Sequence, residues 1–528
     1  MSSSPTTTLP GRRRLLVAAI LAAGGTVSCG DEMKALERVR AGEAEVTGQG
    51  VLVIAVDGLR WDHTSIAGYD RTTTPSLGKF ARESVVFENA WGVTPSMVGA
   101  HVAILAGDDP GVAIPPPPPG AREFPARDIG AEDEDRWFVP PELQLLGRYF
   151  LGIGWSTAAF VDHGDIKELR GFDRGFGDFV EHRGDPGGEV REEGAFGVGK
   201  RFIQWVNGRA LDEDWFAYLQ MNDLERRWRV NRDTERLENR LVEDVMEDWR
   251  ARPELMYVPP LGLPVEDSDH SVKSAFHTLP PSRANRARSV TMGEYELRYD
   301  LGIRAVDASV GRILASVEDF GRKDNITVVI LGSFGTSLGE HGLFLRAGLA
   351  EEGDLHVPLL FRPSRALREA LGWGAEGAPP VRRVKELVGS IDVAPTLVDL
   401  IGAEVTRPML GASLRPLLQG ERGPVRERLP VRPSMIPGFA LIESRSKAVV
   451  YRPDLAAPWV RRSWSSWTGS DDGAEEVSEF WTRWEELIEL ERRALHFGIG
   501  PDEGARVDAL RGMQGLAESR AEARALTR

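Results

Sequence analysis

Short apolar runs rich in β-branched residues alternate along the chain with segments of helical periodicity. Val51-Leu-Val-Ile-Ala-Val56 runs straight into Asp57-Gly58. This predicts a strand buried on both faces that delivers a carboxylate at its C-terminal end. Similar runs recur at 157–161, 215–221, 326–331 and 357–361. Between them, a helix is predicted to open at Thr74-Pro75, with Thr74 as N-cap and Pro75 in the first turn, and to bury Leu77, Phe80 and Ala81. A second helix is predicted over about 295–320, with Leu297, Leu301, Ala305, Ala308, Ile313 and Val317 facing inward, and a third over 395–401. Strands alternating with helices predict an α/β domain around a mostly parallel sheet, with the functional site at the C-terminal strand edge.

The pattern breaks in four places. Arg12-Arg13-Arg14 precedes Leu15–Val27, an apolar run of 13 residues. That is too short to span a bilayer, which takes about 20, and it predicts a signal peptide over 1–28. Thr26-Val27-Ser28-Cys29 resembles a bacterial lipobox, which implies a chain cleaved before Cys29, lipidated on its sulfur and anchored to a membrane of the cell envelope. Residues 29–48 then read as a tether. Pro115–Pro119 predicts a stiff exposed loop. The Arg-, Glu- and Trp-rich stretch 224–256 predicts a solvated helix with i,i+4 charge pairs. After Pro424 the texture changes. Phe439–Glu443 and Lys447–Tyr451 flank Ser444-Arg445-Ser446 as a hairpin, and Val477, Phe480, Trp481, Trp484, Leu487, Ile488 and Leu495 form a helical packing stripe. The division is an α/β domain at 49–424 and a smaller α+β lobe at 425–528.

Composition narrows the function. The 65 basic and 80 acidic residues leave a net charge of −15, which disfavours nucleic acid as a partner. Cys29 is the single cysteine, so neither an internal disulfide nor a cysteine-rich metal site can form.

Five ordered segments carry a resemblance: 51–82 (VLVIAVDGLRWDHTSIAGYDRTTTPSLGKFAR); WSTAAFV with GFDRGF; YDLGIRAVDASVGRIL; SLGEHGLF with VPLLFRPS; and SIDVAPTLVDLIGA with LGASLRPLLQG. Together, over about 50–450, they resemble the sulfatase family of the alkaline phosphatase superfamily. The resemblance implies an alkaline-phosphatase/sulfatase-like α/β sandwich with a mostly parallel central sheet and a smaller C-terminal lobe. It also implies a divalent cation held by Asp, Asn or His, a nucleophile at a helix N-terminus where free N–H groups favour an anionic ester, and basic side chains that stabilise the transferring group.

Aligned with the family's motifs, this chain departs from them where the chemistry sits. Asp57 keeps the first carboxylate, and Gly58 stands where relatives often carry a second ligand. The nucleophile position is Met97, whose thioether has no proton to lose, and Ser96 is the neighbouring hydroxyl. Gly99 and Ala100 replace the motif's Pro and Ser, and His101 remains. The later metal motif has become Ser333-Phe334, the mid-chain His has become Glu225, and the downstream Gly-His is Leu345-Arg346. His341 stays in a Gly-Glu-His-Gly segment, for which a structural role is expected. Asp62, Tyr69, Arg71, Asp307, Pro358 and Pro395, which belong to the scaffold, also stay.

The expectation is therefore a sulfatase-like envelope lipoprotein that is catalytically inactive and binds a glycan, an anionic ligand or a protein partner. No cofactor is expected. The alternative is a hydrolase or transferase of sulfate or phosphate esters with an altered site, and that reading alone calls for Ca²⁺ or Mg²⁺.

Overall fold

A computed structural model describes residues 46–109, 139–141, 143–181, 194–226, 292–338, 344–346, 352–374, 377–405, 407–432, 438–443, 447–451 and 460–464. The signal, polyproline and C-terminal stripe predictions, the predicted tether up to residue 45, and nearly all of 224–256 lie outside these residues. Residues 46–48, assigned to the tether, are bonded into the domain, with Val46 buried and the Thr47 and Gly48 N–H groups on the Leu211 carbonyl.

The main sheet is built from β1 (Gly50–Asp57), β2 (Val85–Phe87), β3 (Ser156–Val161), β4 (Asp178–Glu181), β5 (Trp215–Met221), β6 (Ile326–Phe334), β7 (Leu359–Arg362) and β8 (Arg383–Val384). Their spatial order is β8-β2-β7-β6-β1-β5-β3-β4. β1 lies between β5 and β6, parallel to both, and all three strands are buried throughout. This is why they read as unbroken apolar runs. The predicted strand at 357–361 begins at Leu359 and runs antiparallel to β6 and β2. β2, β4 and β8 were not predicted; they are too short to show a period.

The helices are α1 (Pro75–Ala81), α2 (Met97–Ala106), α3 (Leu146–Gly152), α4 (Gly194–Asn207), α5 (Met292–Asp319) and α6 (Val393–Ile401). β1 sorts them into two layers. Val51, Val53 and Ala55 face the core shared with α2, α3 and α6. Leu52, Ile54 and Val56 face the core shared with α1, α4 and α5. This is the strand's two-residue alternation, with both faces covered. Each such large apolar side chain contributes about 1.5–3 kcal/mol on full burial.

The start of α1 differs from the sequence reading. Thr74 occupies the N-cap position but makes no side-chain cap; its hydroxyl accepts from the Ser65 N–H at 2.9 Å. The cap comes from α5 instead, where the Asp307 carboxylate accepts from the N–H groups of Ser76 and Leu77, both at 2.8 Å. A scaffold residue distant in sequence thereby fixes the helix that follows β1.

β9 (Arg428–Val431), β10 (Gly438–Glu443), β11 (Lys447–Tyr451) and β12 (Val460–Trp464) form an antiparallel sheet in that order, with the predicted hairpin at its centre. Leu429, Val431 and Ile442 pack onto Trp91, Val93, Ala103 and Ile391. Arg432 donates to Asp109, just past the end of α2, at 2.8 Å.

Candidate active site

Asp57 ends β1 with no exposed surface. Three neighbouring elements supply donors to its carboxylate. From α2, His101 brings Nε2 to 3.0 Å from Oδ1. From β5, the Gln220 amide donates to Oδ2 at 2.5 Å. From β6, the Ser333 hydroxyl donates to Oδ1. Ser333 reaches it because the β1–β6 register shifts there: Val56 pairs with Gly332 but Asp57 pairs with Phe334. The extra residue in β6 turns its side chain toward β1, as a β-bulge does.

His101 is held at both ends. Its Nδ1 lies 2.6 Å from the hydroxyl of Tyr218 on β5. A carboxylate can only accept, so Nε2 carries a proton toward Asp57, and the Tyr218 hydroxyl faces the other nitrogen. Burial, and then the charge of Asp57, push the Tyr218 pKa well above the usual phenol value, so the hydroxyl keeps its proton. His101, Ser333, Gln220, Tyr218 and Phe334 are all almost wholly buried. Gly58 follows Asp57 at φ 76°, in the left-handed region that favours glycine.

α2 starts at Met97, with Ser96 as its N-cap; the Ser96 hydroxyl accepts from the Gly99 N–H at 3.4 Å. Ser96 is thus bound to its own helix. Gly335, two residues past Ser333, has no room for a side chain, since a Cβ there would lie 2.1 Å from the Gly353 carbonyl oxygen. That close approach explains why the glycine stays where the ligands do not.

The structure joins Asp57 to His101 and Ser333 by hydrogen bonds. Gly58 follows Asp57 in the chain, Phe334 pairs with Asp57 in register, and Ser96 and Met97 lie at the start of α2, about one turn before His101. Glu225 falls in the short helix Asp223–Arg226 after β5, and Arg346 in a strand, Phe344–Arg346, that pairs with Ser337–Leu338. The Glu225 and Arg346 side chains, and His341 entirely, lie outside the described residues. Sequence reading missed Tyr218 and Gln220. The signal for Gln220 was a polar side chain inside an otherwise apolar strand.

It named Tyr69 and Arg71 only as scaffold and missed the largely buried cluster that they form behind the β1 loop with His63, Glu296 and Asp300. His63 Nδ1 lies 2.8 Å from Asp300, and Arg71 and Tyr69 both donate to Asp300, at 2.5 and 2.9 Å. Tyr69 donates to Glu296 at 3.0 Å. Burial, then Asp300 and Glu296, push the Tyr69 phenol far above its usual range. The residues come from segments more than two hundred positions apart, so no local pattern announces them.

The family model described as Sulfatase matches residues 49–403. The chain belongs to the sulfatase family. A sulfatase of Formosa agariphila is 23% identical over 427 residues, covering 74% of this chain and 76% of that protein. The N-acetylglucosamine-6-O-sulfatase of Bacteroides thetaiotaomicron is 33% identical over 128 residues, 24% of this chain; the chain spans 21% of that protein's length. A solved 2-O GAG sulfatase superposes with a TM-score of 0.57 at 15% identity, covering 85% of this chain and 93% of that one. At that identity the likeness speaks for the fold alone.

Two places in this sulfatase-family protein invite a cation. At Asp57 the surrounding groups are N–H and O–H donors already turned onto the carboxylate, whereas Ca²⁺ or Mg²⁺ wants about six or more oxygen lone pairs. The donor set does not fit the ion. His63, Glu296 and Asp300 do bring ligand atoms within 4.8 Å of one another. There, however, the Arg71 guanidinium contacts both carboxylates and supplies the positive charge itself, which makes the cluster an internal brace.

Proposed function

We propose that this sulfatase-family protein has lost ester hydrolysis and acts in the cell envelope as a binding protein for a glycan, an anionic ligand or a protein partner. In this reading residues 1–28 direct export, Cys29 carries the lipid, 29–48 are the tether, 49–424 form the sulfatase-like domain and 425–528 the C-terminal lobe. Among the described residues no helix is long and apolar enough to cross a membrane; in this reading the lipid is the anchor.

The observation that carries the proposal is the closed hydrogen-bond set around Asp57. Hydrolysis in this family needs a cation at this strand edge and a nucleophile at the helix start. Here donors occupy the carboxylate, and Met97 occupies the helix start. The relative named as an N-acetylglucosamine-6-O-sulfatase supports a glycan as the ligand class.

The competing reading, a hydrolase or transferase with an altered site, draws on relatives named as sulfatases. It would need Ser96 as nucleophile. Ser96 caps its own helix, and His101, the motif's histidine, has both ring nitrogens engaged, so it offers no base.

The test is turnover of aryl sulfates and aryl phosphonates by the purified mature protein, with Ser96→Ala alongside. The proposal expects background rates from both. Saturable turnover that disappears in Ser96→Ala would establish the competing reading.

A further inference from the structure

At the opposite edge of the sheet, below the start of β6, a buried cation has no anion in hydrogen-bond contact among the described residues. Helix α5 ends at Asp319, and the chain reverses at Gly321, whose φ is 67°, with the Arg322 N–H bonded to the Val317 carbonyl at 3.0 Å. The reversal carries the Arg322 side chain into the turn that follows α4. Arg322 is 2% exposed. Its Nη2 donates to the carbonyls of Arg209 and Ala210, at 3.1 and 3.5 Å. Cationic groups suit the carbonyls at a helix C-terminus, and this contact accounts for that one nitrogen.

It does not account for the rest of the group. Nε and Nη1 are buried and meet no acceptor. A guanidinium stays charged and carries five N–H donors. The carboxylate of Glu213 acts on it through space, but its oxygens are taken by the Ser156 hydroxyl, by Arg209 and by the Ala210 N–H. In the same turn the Nε of Arg209 is also buried without an acceptor. A buried charge with unmade hydrogen bonds is strongly unfavourable. Water could accept the hydrogens, but it would leave the guanidinium with no anion in direct contact. Burial pulls the Arg322 pKa below its usual value, against the attraction of Glu213, as expected when no anion touches the group.

We propose that Arg322 forms the charged wall of a small-anion site beside the 207–214 turn, filled by chloride or an inorganic oxyanion such as phosphate. The site lies where the chain enters the sheet. The N–H groups of Thr47 and Gly48 bond the Leu211 carbonyl at 2.9 Å, Gln49 N bonds Asp214 at 2.7 Å, and the Asn325 amide donates to the Val46 carbonyl at 2.5 Å. An anion on Arg322 therefore tightens the turn that receives the first residues of the domain.

The experiment is thermal melting of the full chain in titrations of chloride, and separately of phosphate, against gluconate at constant ionic strength. Wild type and Arg322→Met are compared. Wild type is expected to show a saturable rise in Tm with chloride, phosphate or both, and Arg322→Met a flat response with a Tm at least equal to anion-free wild type. Parallel curves for the two proteins overturn the site. Should Arg322→Met fail to fold, crystals of wild type soaked in bromide decide. Anomalous density within hydrogen-bond distance of Arg322 Nε or Nη1 supports the site; water alone at those nitrogens overturns it.

Discussion

Ser333 donates its hydroxyl to Asp57 at the position where the family's motif carries a metal-binding carboxylate. In the proposed reading, the residue that would have shared a cation with Asp57 instead gives it a hydrogen bond. A carboxylate at 333 would meet Asp57 with like charge, so the two versions of this strand edge exclude one another.

Reversing that exchange makes the first prediction. Ser333→Asp buries a second carboxylate beside Asp57, and without metal it should cost roughly 3–5 kcal/mol, the range for an uncompensated buried charge. Adding Phe334→His restores ligand types, and millimolar Ca²⁺ or Mg²⁺ should then raise the Tm of the double variant. Turnover should stay at background even with Met97→Thr alongside Ser333→Asp alone, because the motif's second ligand is still Phe334. Differential scanning fluorimetry with and without metal checks the order of events.

The Asp57 network should behave as a structural unit. Tyr218→Phe leaves one nitrogen of His101 buried without its partner, at a cost of about 1–3 kcal/mol. His101→Ala removes a donor from a buried carboxylate and should cost more, about 3–5 kcal/mol. The double variant should lose less than the sum, since the tyrosine acts through the histidine. Urea unfolding of the four proteins provides the comparison; strict additivity would mean that the contacts are independent.

Asp307 gives a prediction with a pH sign. Asp307→Ala removes two acceptor bonds from the start of α1 and should cost about 0.5–2 kcal/mol, while Asp307→Asn, which keeps one oxygen, should cost less. Burial raises the Asp307 pKa in the folded protein, partly offset by the Ser76 and Leu77 N–H bonds. A carboxyl whose folded pKa exceeds its unfolded value holds protons more tightly when folded. Its contribution to stability therefore falls as pH rises from the unfolded pKa, about 3.9, through the folded one. Wild type should lose more stability than Asp307→Asn across that window.

Anchoring is tested by fractionation. Cys29→Ser should move the protein from the membrane pellet to the soluble periplasmic fraction, because a lipid is the anchor proposed for it. A variant that stays in the pellet would remove the lipoprotein assignment.

The parts that could be read in the sequence were those written in local pattern. β1, β5 and β6 announced themselves as apolar runs because both faces are covered, and the hairpin of β10 and β11 by its flanked turn. Asp57, Met97, His101, Ser333 and Phe334 could be placed by order and spacing against the family's motifs. Gln220, which bonds Asp57, and Tyr218, which bonds His101, could not be read in the same way. Gln220 and Tyr218 lie on a neighbouring strand more than 160 positions away, and only sheet register brings them into reach. The cap on α1 failed for a related reason: Thr74 has the right chemistry in the right place, but Ser65 claimed its hydroxyl and Asp307 arrived from a distant helix. The reversal of β7 was invisible because a buried antiparallel strand carries the same apolar run as a parallel one.

In the proposed reading donors, and no cation, satisfy Asp57. Melting curves of the metal-stripped wild-type protein in Ca²⁺, Mg²⁺, Mn²⁺ or chelator test it most directly, with elemental analysis of the protein as purified. A ligand at a hundredfold excess over Kd stabilises a fold by about 2.7 kcal/mol. Superimposable curves and no stoichiometric metal are expected. One equivalent of divalent metal, with a Tm raised by several degrees on adding it back, would contradict it.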